Sequence, residues 1–321
     1  MKTHFQFSYV PTDQINTGNK LTDFSMGSDP PFLQGSLREI GMTHPVSLTP
    51  QGNSYHIVCG HRRVRAAMVL GLENLPANLL PPSMTDEAKL AFNLRENSRN
   101  YSDPEKAAIL RKLLRVEIAE NKIIEQYMPI LGLERSKKLL RDLLKTGQLR
   151  DSFQRLLHEL NIPIRVYAPL FRWDHDSQKE AERIFAALRP GVNKLRELVD
   201  LLDETSHRDG TRPGDILNRE ELRTTWQHAE PQYDKVHKIL YHWRFPTLAS
   251  LKKSVWRAMD QLDLHPNTKI RTMENFENGE MKIELAFKTG TELTTQVEQL
   301  SKASQSQSMA NLLQVFKNLK P

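Results

Sequence analysis

The stretch IVCGHRRVRAA, residues 57–67, decides how the first part of this 321-residue chain folds. Three apolar residues predict the end of a buried strand, Gly60 predicts a turn, and the residues after it predict a helix over 62–70. The first turn of a helix exposes unpaired backbone N–H groups and the positive end of the helix dipole, so arginines are unfavourable there unless an anion binds. Gly60 with Arg62, Arg63 and Arg65 therefore predicts a phosphate-binding turn. The alternative is a solvated basic helix start.

The segments around this turn predict a small layer of strands and helices. Phe5, Phe7 and Tyr9 alternate with polar residues and indicate a strand. Further strands and helices follow in the order strand, turn, strand, helix, strand, helix. The predicted strands are 4–10, 45–48, 55–59 and 76–80, and the predicted helices are 33–40, 62–70 and 86–96.

A second polar cluster, LRENSR at residues 94–99, ends the last of these helices. Glu96 and Asn97 carry hard oxygen ligands that suit Mg²⁺ beside a polyphosphate, and Arg99 can add a phosphate contact. The alternative is an ordinary polar helix end in which Asn97 is a cap and Glu96 is solvated.

Residues 101–160 predict helices of a DNA-binding type. Ser102 and Glu105 form a capping-box pattern that starts the first helix. A short helix over 122–131, a glycine, and a basic helix over 134–145 have the outline of a helix-turn-helix. An exposed bundle helix is the alternative, because charged outer faces are common. The residues expected to contact DNA are Arg135, Ser136, Lys137, Lys138, Arg141 and Lys145.

The rest of the chain predicts a helical region over 161–263 and a smaller mixed module over 264–321. Asn278-Gly279 is a strong hairpin signal, and apolar residues alternate over 281–287. Trp256, Tyr241 and Phe245 are expected in a core rather than on a stacking surface. The predicted fold class is thus α+β. Its four parts are an α/β domain over 1–100, a helix-turn-helix region over 101–160, the helical region and the C-terminal module.

The composition limits the classes of function. Lys and Arg number 45 against 39 Asp and Glu, a net charge of +6 that permits an anionic partner. A single cysteine excludes an intrachain disulfide framework and a cysteine-based zinc cluster. The sequence has no apolar stretch of about 20 residues and no secretory signal pattern, so we expect a cytoplasmic protein without a membrane partner.

Residues 33–119 resemble the N-terminal domain of the ParB family, the centromere-binding proteins of bacterial chromosome and plasmid segregation. The resemblance rests on the order and spacing of several motifs. These are SLREIG at 36–41, HPV at 44–46, YHIVCGHRRVRAA at 55–67, LG at 70–71, LPA at 75–77, EN at 96–97 and DPEKA at 103–107. The same fold superfamily includes sulfiredoxin.

The resemblance implies a DNA-binding protein of partitioning or transcription regulation that closes as a CTP-dependent dimeric clamp. It implies CTP and Mg²⁺ as cofactors and a ParA-type ATPase as a partner. It also implies that the protein is associated with the nucleoid. The nucleotide would contact Gly60, His61, Arg62 and Arg63, and the metal would contact Glu96 and Asn97. Arg65, Asn97 and Arg99 complete the expected nucleotide site.

Two departures from the family pattern bear on catalysis. His61 stands where the family has an acidic residue, and an imidazole cannot act as a fixed anion at pH 7. Arg99 comes one position earlier than the family arginine. We therefore expect at most a slow CTPase, and the sequence assigns no catalytic residue.

Two other functions stay open at the level of sequence. One is an enzyme on the same scaffold, either a nuclease or an ATP-dependent redox enzyme like sulfiredoxin. The nuclease lacks a carboxylate cluster beyond Glu96, and Cys59 ends an apolar strand, which favours a buried small residue over a nucleophile. The other is an adaptor that kept the fold and lost the nucleotide.

Overall fold

The computed structural model describes residues 5–27, 31–97, 99–226, 232–272 and 281–317. These residues form two compact units. The N-terminal unit extends to residue 206 and includes 210–226, and the C-terminal unit contains 207–209 and the described residues from 232 onward. The fold class is α+β, as predicted: a mixed sheet with helices, a helical continuation, and a small second sheet with helices.

A five-stranded sheet opens the N-terminal unit, with strand order β1-β5-β3-β4-β2. β1 pairs antiparallel with β5 and β3 with β4, whereas β3 with β5 and β2 with β4 are parallel pairs. The strands are β1 Gln6–Pro11, β2 Ile15–Asn16, β3 Val46–Gln51, β4 Ser54–Cys59 and β5 Asn74–Leu79. Three helices accompany them: α1 Pro31–Ile40, α2 His61–Val69 and α3 Asp86–Glu96.

One face of this sheet forms an apolar core with α2. The alternation along the strands places Val10, Leu48 and Leu75 on that face, each at most 1% exposed, and Val64 and Ala67 of α2 pack on them. The packing fixes the position of α2 directly after β4, as the sequence predicts.

A second core joins α3 to the helices that follow. Leu90 and Leu94 of α3 pack with Leu110 and Leu113 of α4 and with Leu140 of α7. The helices of this part are α4 Asp103–Arg115, α5 Glu120–Lys122, α6 Met128–Ile130 and α7 Lys137–Lys145, with a π-helical turn Ile123–Tyr127 between α5 and α6. Ser102 and Glu105 form the predicted capping box of α4.

The basic helix starts later than predicted, at Lys137 instead of residue 134. The Ser136 hydroxyl accepts a hydrogen bond from the backbone N–H of Leu139 at 3.2 Å, so Ser136 is the N-cap. The helix before it is also irregular. Pro129 has no N–H to donate to the carbonyl of residue 125, and the backbone takes the π-helical turn just before it.

The remainder of the N-terminal unit is helical. Its helices are α8 Asp151–Glu159, α9 Ile164–Tyr167, α10 His175–Leu188, α11 Val192–Asp209, α12 Pro213–Leu217 and α13 Glu220–Trp226. The last three residues of α11 belong to the C-terminal unit. Within the described ranges, no helix is both long and apolar enough to cross a membrane.

The C-terminal unit contains a two-stranded antiparallel sheet and four helices. β6 Thr268–Thr272 pairs with β7 Met281–Leu285. The predicted hairpin residues Asn278-Gly279 lie outside the described residues. The helices are α14 Tyr233–Arg244, α15 Pro246–Asp260, α16 Gly290–Ser304 and α17 Gln307–Lys317. Val255, Ala258 and Leu312 belong to the core of this unit.

Candidate nucleotide site and nucleic-acid surface

A cavity of about 150 Å³ lies where β4 turns into α2. Four separate segments line it. They contribute Thr22, Asp23, Phe24, Ser25, Gly60, His61, Arg62, Arg63, Asn93, Asn97, Arg99 and Tyr101. Six of the eight predicted nucleotide or metal residues therefore come together, and Arg65 and Glu96 do not line the cavity. Its volume is below the 300 Å³ or more that is usual for a small-molecule pocket, so it matches a phosphate group rather than a whole nucleotide.

Gly60 makes the turn that creates this cavity. Its φ of +102° is in the left-handed region, and a Cβ atom there would lie 2.8 Å from Cγ1 of Val46. The first intrahelical bond runs from the N–H of Val64 to the carbonyl of Gly60, and no side chain in the described residues caps α2. The N–H groups of the first turn are thus available to an anion.

The three arginines of α2 have different surroundings. Arg62 and Arg63 line the cavity, whereas Arg65 forms an ion pair with Asp23 at 2.8 Å. The Arg63 guanidinium also donates to the backbone carbonyls of His44 and Pro45, the latter at 2.9 Å. Arg63 therefore holds the start of β3 as well as facing the cavity, while Arg65 positions the loop that carries Asp23.

His61 is a buried neutral side chain. Thr22 Oγ1 donates to the carbonyl of Ile57 at 2.8 Å and lies 2.9 Å from His61 Nε2. Because a threonine hydroxyl has one proton, Nε2 is the donor of the second bond. Burial lowers the pKa of His61 to about 4, although Asp23 opposes the shift. His61 thus supplies no positive charge to the cavity at pH 7.

Arg99 is held by a buried carboxylate. Its guanidinium donates to both oxygens of Glu105, at 2.8 and 3.1 Å, and lies 4.3 Å from the ring centre of Tyr101. The Glu105 side chain is 2% exposed and also accepts from the N–H of Ser102. Arg99 therefore places N–H donors at the cavity, but Glu105 neutralises most of its charge.

Tyr101 lines the cavity, but its hydroxyl is buried. The residue is 7% exposed, and Arg99 lies close enough to the hydroxyl to interact with it. Burial raises the pKa of Tyr101 to about 12, so the hydroxyl stays protonated and is a donor at neutral pH. The ring of Tyr101 therefore forms part of the wall, and its hydroxyl is not a demonstrated contact for a bound anion.

Asn93 and Asn97 are neighbours on α3 and face the cavity together. Asn93 Nδ2 donates to the carbonyls of Thr22 and Val58, and its Oδ1 accepts from Asn97 Nδ2. Asn97 also donates to Sγ of Cys59 at 3.5 Å. The amide of Asn93 thus ties the loop at Thr22 to the end of β4.

The predicted metal ligands are not arranged as a metal site. Glu96 is exposed and is not among the described residues that line the cavity. Across the described ranges, no three His, Cys, Asp or Glu side chains are grouped to hold a metal ion. These residues do not fit a resident Mg²⁺ held by the protein.

Cys59 has the environment of a core residue. It is 1% exposed, and burial raises the pKa of its thiol. Because the thiolate is the nucleophile, a protonated buried thiol is inert. The sulfiredoxin-like alternative therefore lacks an activated cysteine at this position.

Lys112 of α4 connects the cavity wall to the helical region. Its ammonium donates to the carbonyls of Lys20 and Asp23, the latter at 2.6 Å, and lies 5.4 Å from the ring centre of Phe24. Burial lowers the pKa of Lys112 to about 8. Neither this contact nor the place of Thr22, Asn93 and Tyr101 in the cavity wall could be predicted from the sequence. Only the tertiary fold brings these residues together.

The basic helix α7 and Arg135, which precedes it, present their predicted charges to solvent. Its inner face is buried through Leu140 and Leu143, both at most 1% exposed. The exposed basic residues are Arg135, Lys137, Lys138, Arg141 and Lys145. Three of them pair with carboxylates: Arg135 with Glu125 at 3.2 Å, Lys137 with Glu120 at 3.9 Å and Lys145 with Asp142 at 3.3 Å.

Lys138 and Arg141 differ from the other three because they form no ion pair within the described part of the chain. They lie one turn apart and both point to solvent. They are therefore the cations of this helix that are most available to an anionic partner.

Comparison with known proteins finds similarity to ParB proteins. Residues 10–98 match the family model of the ParB N-terminal domain. The chain is also 27% identical over 184 residues to a probable chromosome-partitioning protein ParB of Coxiella burnetii. Over residues 10–98 the chain is therefore similar to the ParB family, at modest sequence identity. The alignment covers 56% of this chain and 61% of the Coxiella ParB protein.

Two solved ParB structures of Caulobacter crescentus, both C-terminally truncated, are also similar to this chain. One, complexed to the centromeric parS site, is 18% identical, with a TM-score of 0.35 and coverage of 60% of this chain and 98% of its own. The other, complexed with CTP-gamma-S, is 19% identical, with a TM-score of 0.23 and coverage of 56% and 92%. At scores this low no ParB geometry transfers to this chain.

Proposed function

We propose that this chain, which is similar to the ParB family, is a DNA-binding protein of chromosome or plasmid partitioning whose N-terminal cavity binds the triphosphate of CTP. The observation that supports the nucleotide is the cavity itself. It combines the uncapped first turn of α2 with Arg62 and Arg63. Backbone N–H groups and guanidinium groups are donors, and a phosphate group accepts from both.

The chain's own residues would do two things in this state. The α2 amides and Arg62 would bind phosphate oxygens, and Arg63 would keep β3 in place beside them. The nucleotide supplies the negative charge that offsets the unfavourable arginines at the helix start. With Glu96 outside the cavity, Mg²⁺ would be held chiefly by the phosphates.

Hydrolysis would be slow or absent. The carboxylate in the cavity wall is Asp23, and it is paired with Arg65 and Lys20. Burial raises the pKa of Asp23, but nearby positive charge, from His61 once it is protonated in acid and from Arg65 and Lys20, outweighs burial and lowers that pKa, which makes Asp23 a weak base. His61, which replaces the family's acidic residue, has its Nε2 committed to Thr22.

Calorimetric titration of the full chain with CTP, GTP, UTP and ATP in Mg²⁺ tests this proposal. We expect selective CTP binding that weakens about 30-fold in Arg62→Ala, since a charge-assisted hydrogen bond contributes about 2 kcal/mol. Arg95→Ala is the matched control, because Arg95 is exposed, lies in the same domain and does not line the cavity. It should keep its affinity within about twofold.

Other outcomes select another function. No binding of any nucleotide, with DNA present, would contradict the proposal and favour the adaptor. Selective ATP binding would favour the enzyme alternative. Nicking of supercoiled plasmid in Mg²⁺ or Mn²⁺ would indicate a nuclease.

DNA binding is proposed for the exposed face of α7. Lys138 and Arg141 would contact phosphates, and Ser136 and Lys137, at the start of the helix, would lie close to base edges. The family resemblance implies a homodimer that closes on DNA, a ParA-type ATPase as partner, and association with the nucleoid in the cytoplasm.

A fluorescence-anisotropy titration of a mixed-sequence duplex of 30 base pairs tests α7. The double substitution Lys138→Ala and Arg141→Ala should weaken binding about tenfold at 100 mM salt and flatten the slope of log K against log salt by about two, because two phosphate contacts are lost. Arg155→Ala with Lys179→Ala removes the same charge from exposed positions on α8 and α10 and should change neither quantity. Equal slopes for the wild type and the α7 variant would contradict the assignment.

A further inference from the structure

Trp256 of α15 is the most exposed tryptophan among the described residues. It is 67% exposed, whereas Trp173 and Trp226 are each 6% exposed. The core prediction for Trp256 is therefore wrong. Val255 and Ala258 fill the core of the C-terminal unit from α15, and a 100° rotation per residue turns Trp256 outward. Covering such a large apolar side chain with a partner would remove its ring from water, which is favourable.

The surroundings of Trp256 are basic. Lys252 and Lys253 lie one turn before it and Arg257 directly after it, on the same helix. Lys253 and Arg257 are exposed and form no ion pair within the described residues of the C-terminal unit. Together α14 and α15 carry six lysines and arginines against two aspartates, Asp234 and Asp260. The partner of this surface is therefore negatively charged.

A row of aromatic rings on α14 continues the surface. Tyr233, His237, Tyr241 and Phe245 follow at intervals of four residues, with neighbouring ring centres 5.8, 6.0 and 5.0 Å apart. Lys252 joins the two helices, since its ammonium donates to the Tyr241 hydroxyl at 3.2 Å and lies 4.9 Å from the ring centre. Trp256 follows Lys252 by one turn on the same face of α15, so the indole and the row belong to one surface.

We propose that this α14–α15 surface of the C-terminal unit binds single-stranded nucleic acid, with an unpaired base stacked on Trp256 and the flanking phosphates on Lys253 and Arg257. Flat apolar rings beside cations match the two chemical parts of a nucleic-acid strand, the base and the phosphate. An apolar protein partner would match the indole but not the uncompensated charge.

The exposed indole favours single-stranded over double-stranded nucleic acid as the ligand. In a duplex the bases already stack on each other, so only the phosphates would reach this surface and Trp256 would gain nothing. An unpaired base presents a free face to the ring. The site is separate from the proposed α7 surface, which lies in the other unit.

A labelled oligo-dT of 20 nucleotides, titrated into the full chain by fluorescence anisotropy, tests this inference. We expect Trp256→Ala to weaken binding about tenfold, because loss of one base–aromatic contact has that effect, and Trp256→Phe to recover part of the affinity. Phe287→Ala is the control, since Phe287 is also half exposed in the C-terminal unit and lies away from α15 in sequence. It should bind as the wild type does.

Three results would overturn the proposal. One is equal affinity of Trp256→Ala and wild type for oligo-dT. A second is loss of oligo-dT binding in the α7 double variant with no effect of Trp256→Ala. A third is an effect of Trp256→Ala on sedimentation with phosphatidylglycerol vesicles but not on the oligonucleotide, which would make the surface a lipid-binding one. Failure of the CTP titration leaves this test unaffected, because the two units are probed by different ligands.

Discussion

Gly60→Ala should lower the free energy of unfolding around the β4–α2 turn by about 3 kcal/mol. Two costs add. A non-glycine residue at a φ of +102° is strained by about 1–2 kcal/mol, and the new Cβ atom at 2.8 Å from Val46 is an overpacking contact of about 1–3 kcal/mol. Hydrogen exchange at increasing urea, followed in peptides that cover residues 46–69, measures the local free energy of opening.

Gly71→Ala separates the two costs. Gly71 lies just beyond the other end of α2 with a φ of +68°, and nothing lies within 4 Å of a Cβ built there. The control should therefore show the backbone cost alone, about 1 kcal/mol. The contact cost should fall when Gly60→Ala is combined with Val46→Ala, which removes the opposing methyl groups. Equal losses in the free energy of opening for Gly60→Ala and Gly71→Ala would contradict the close packing of Val46 against the turn.

The same turn explains why the fold could be predicted. Local signals dominate there: an apolar strand, a glycine that must take a positive φ, and a helix whose apolar side packs on the sheet. The limits of α3 follow from Thr85, which caps its first turn, and those of α4 from the Ser102 capping box. Each of these signals acts within a few residues, so the sequence alone contains it.

The composition of the cavity was less predictable because it depends on long-range contacts. Arg65 and Arg62 look equivalent in the sequence, but Asp23, 42 residues away, pairs with Arg65. Glu96 and Asn97 are adjacent, and the helix turns one toward solvent and the other toward the cavity. Tyr101 belongs to no sequence motif, and only its contacts with Arg99 and Phe24 make its ring part of the cavity wall.

His61 should make the N-terminal unit lose stability in mild acid. Its pKa is lowered by burial to about 4 in the folded chain, against 6.5 when unfolded. Between these values the unfolded state binds more protons, so the stabilisation is present above pH 6.5 and is lost as the pH falls toward 4. The charged groups that face the ring are Asp23, Arg65, Lys20 and Lys112, and the three cations oppose its protonation.

The expected size is a loss of about 2 kcal/mol from pH 7.5 to 5, rising to about 3 kcal/mol by pH 4. His61→Gln keeps a donor for Thr22 but cannot titrate. The variant should therefore lose about 2 kcal/mol less stability than the wild type from pH 7.5 to 5, and about 3 kcal/mol less by pH 4. His44→Gln removes an exposed histidine and should retain the wild-type profile. Hydrogen exchange in the peptides of residues 46–69 at each pH gives the comparison. Parallel profiles for wild type and His61→Gln would contradict the lowered pKa, because they would mean that the imidazole takes up its proton equally well in the folded and unfolded chain.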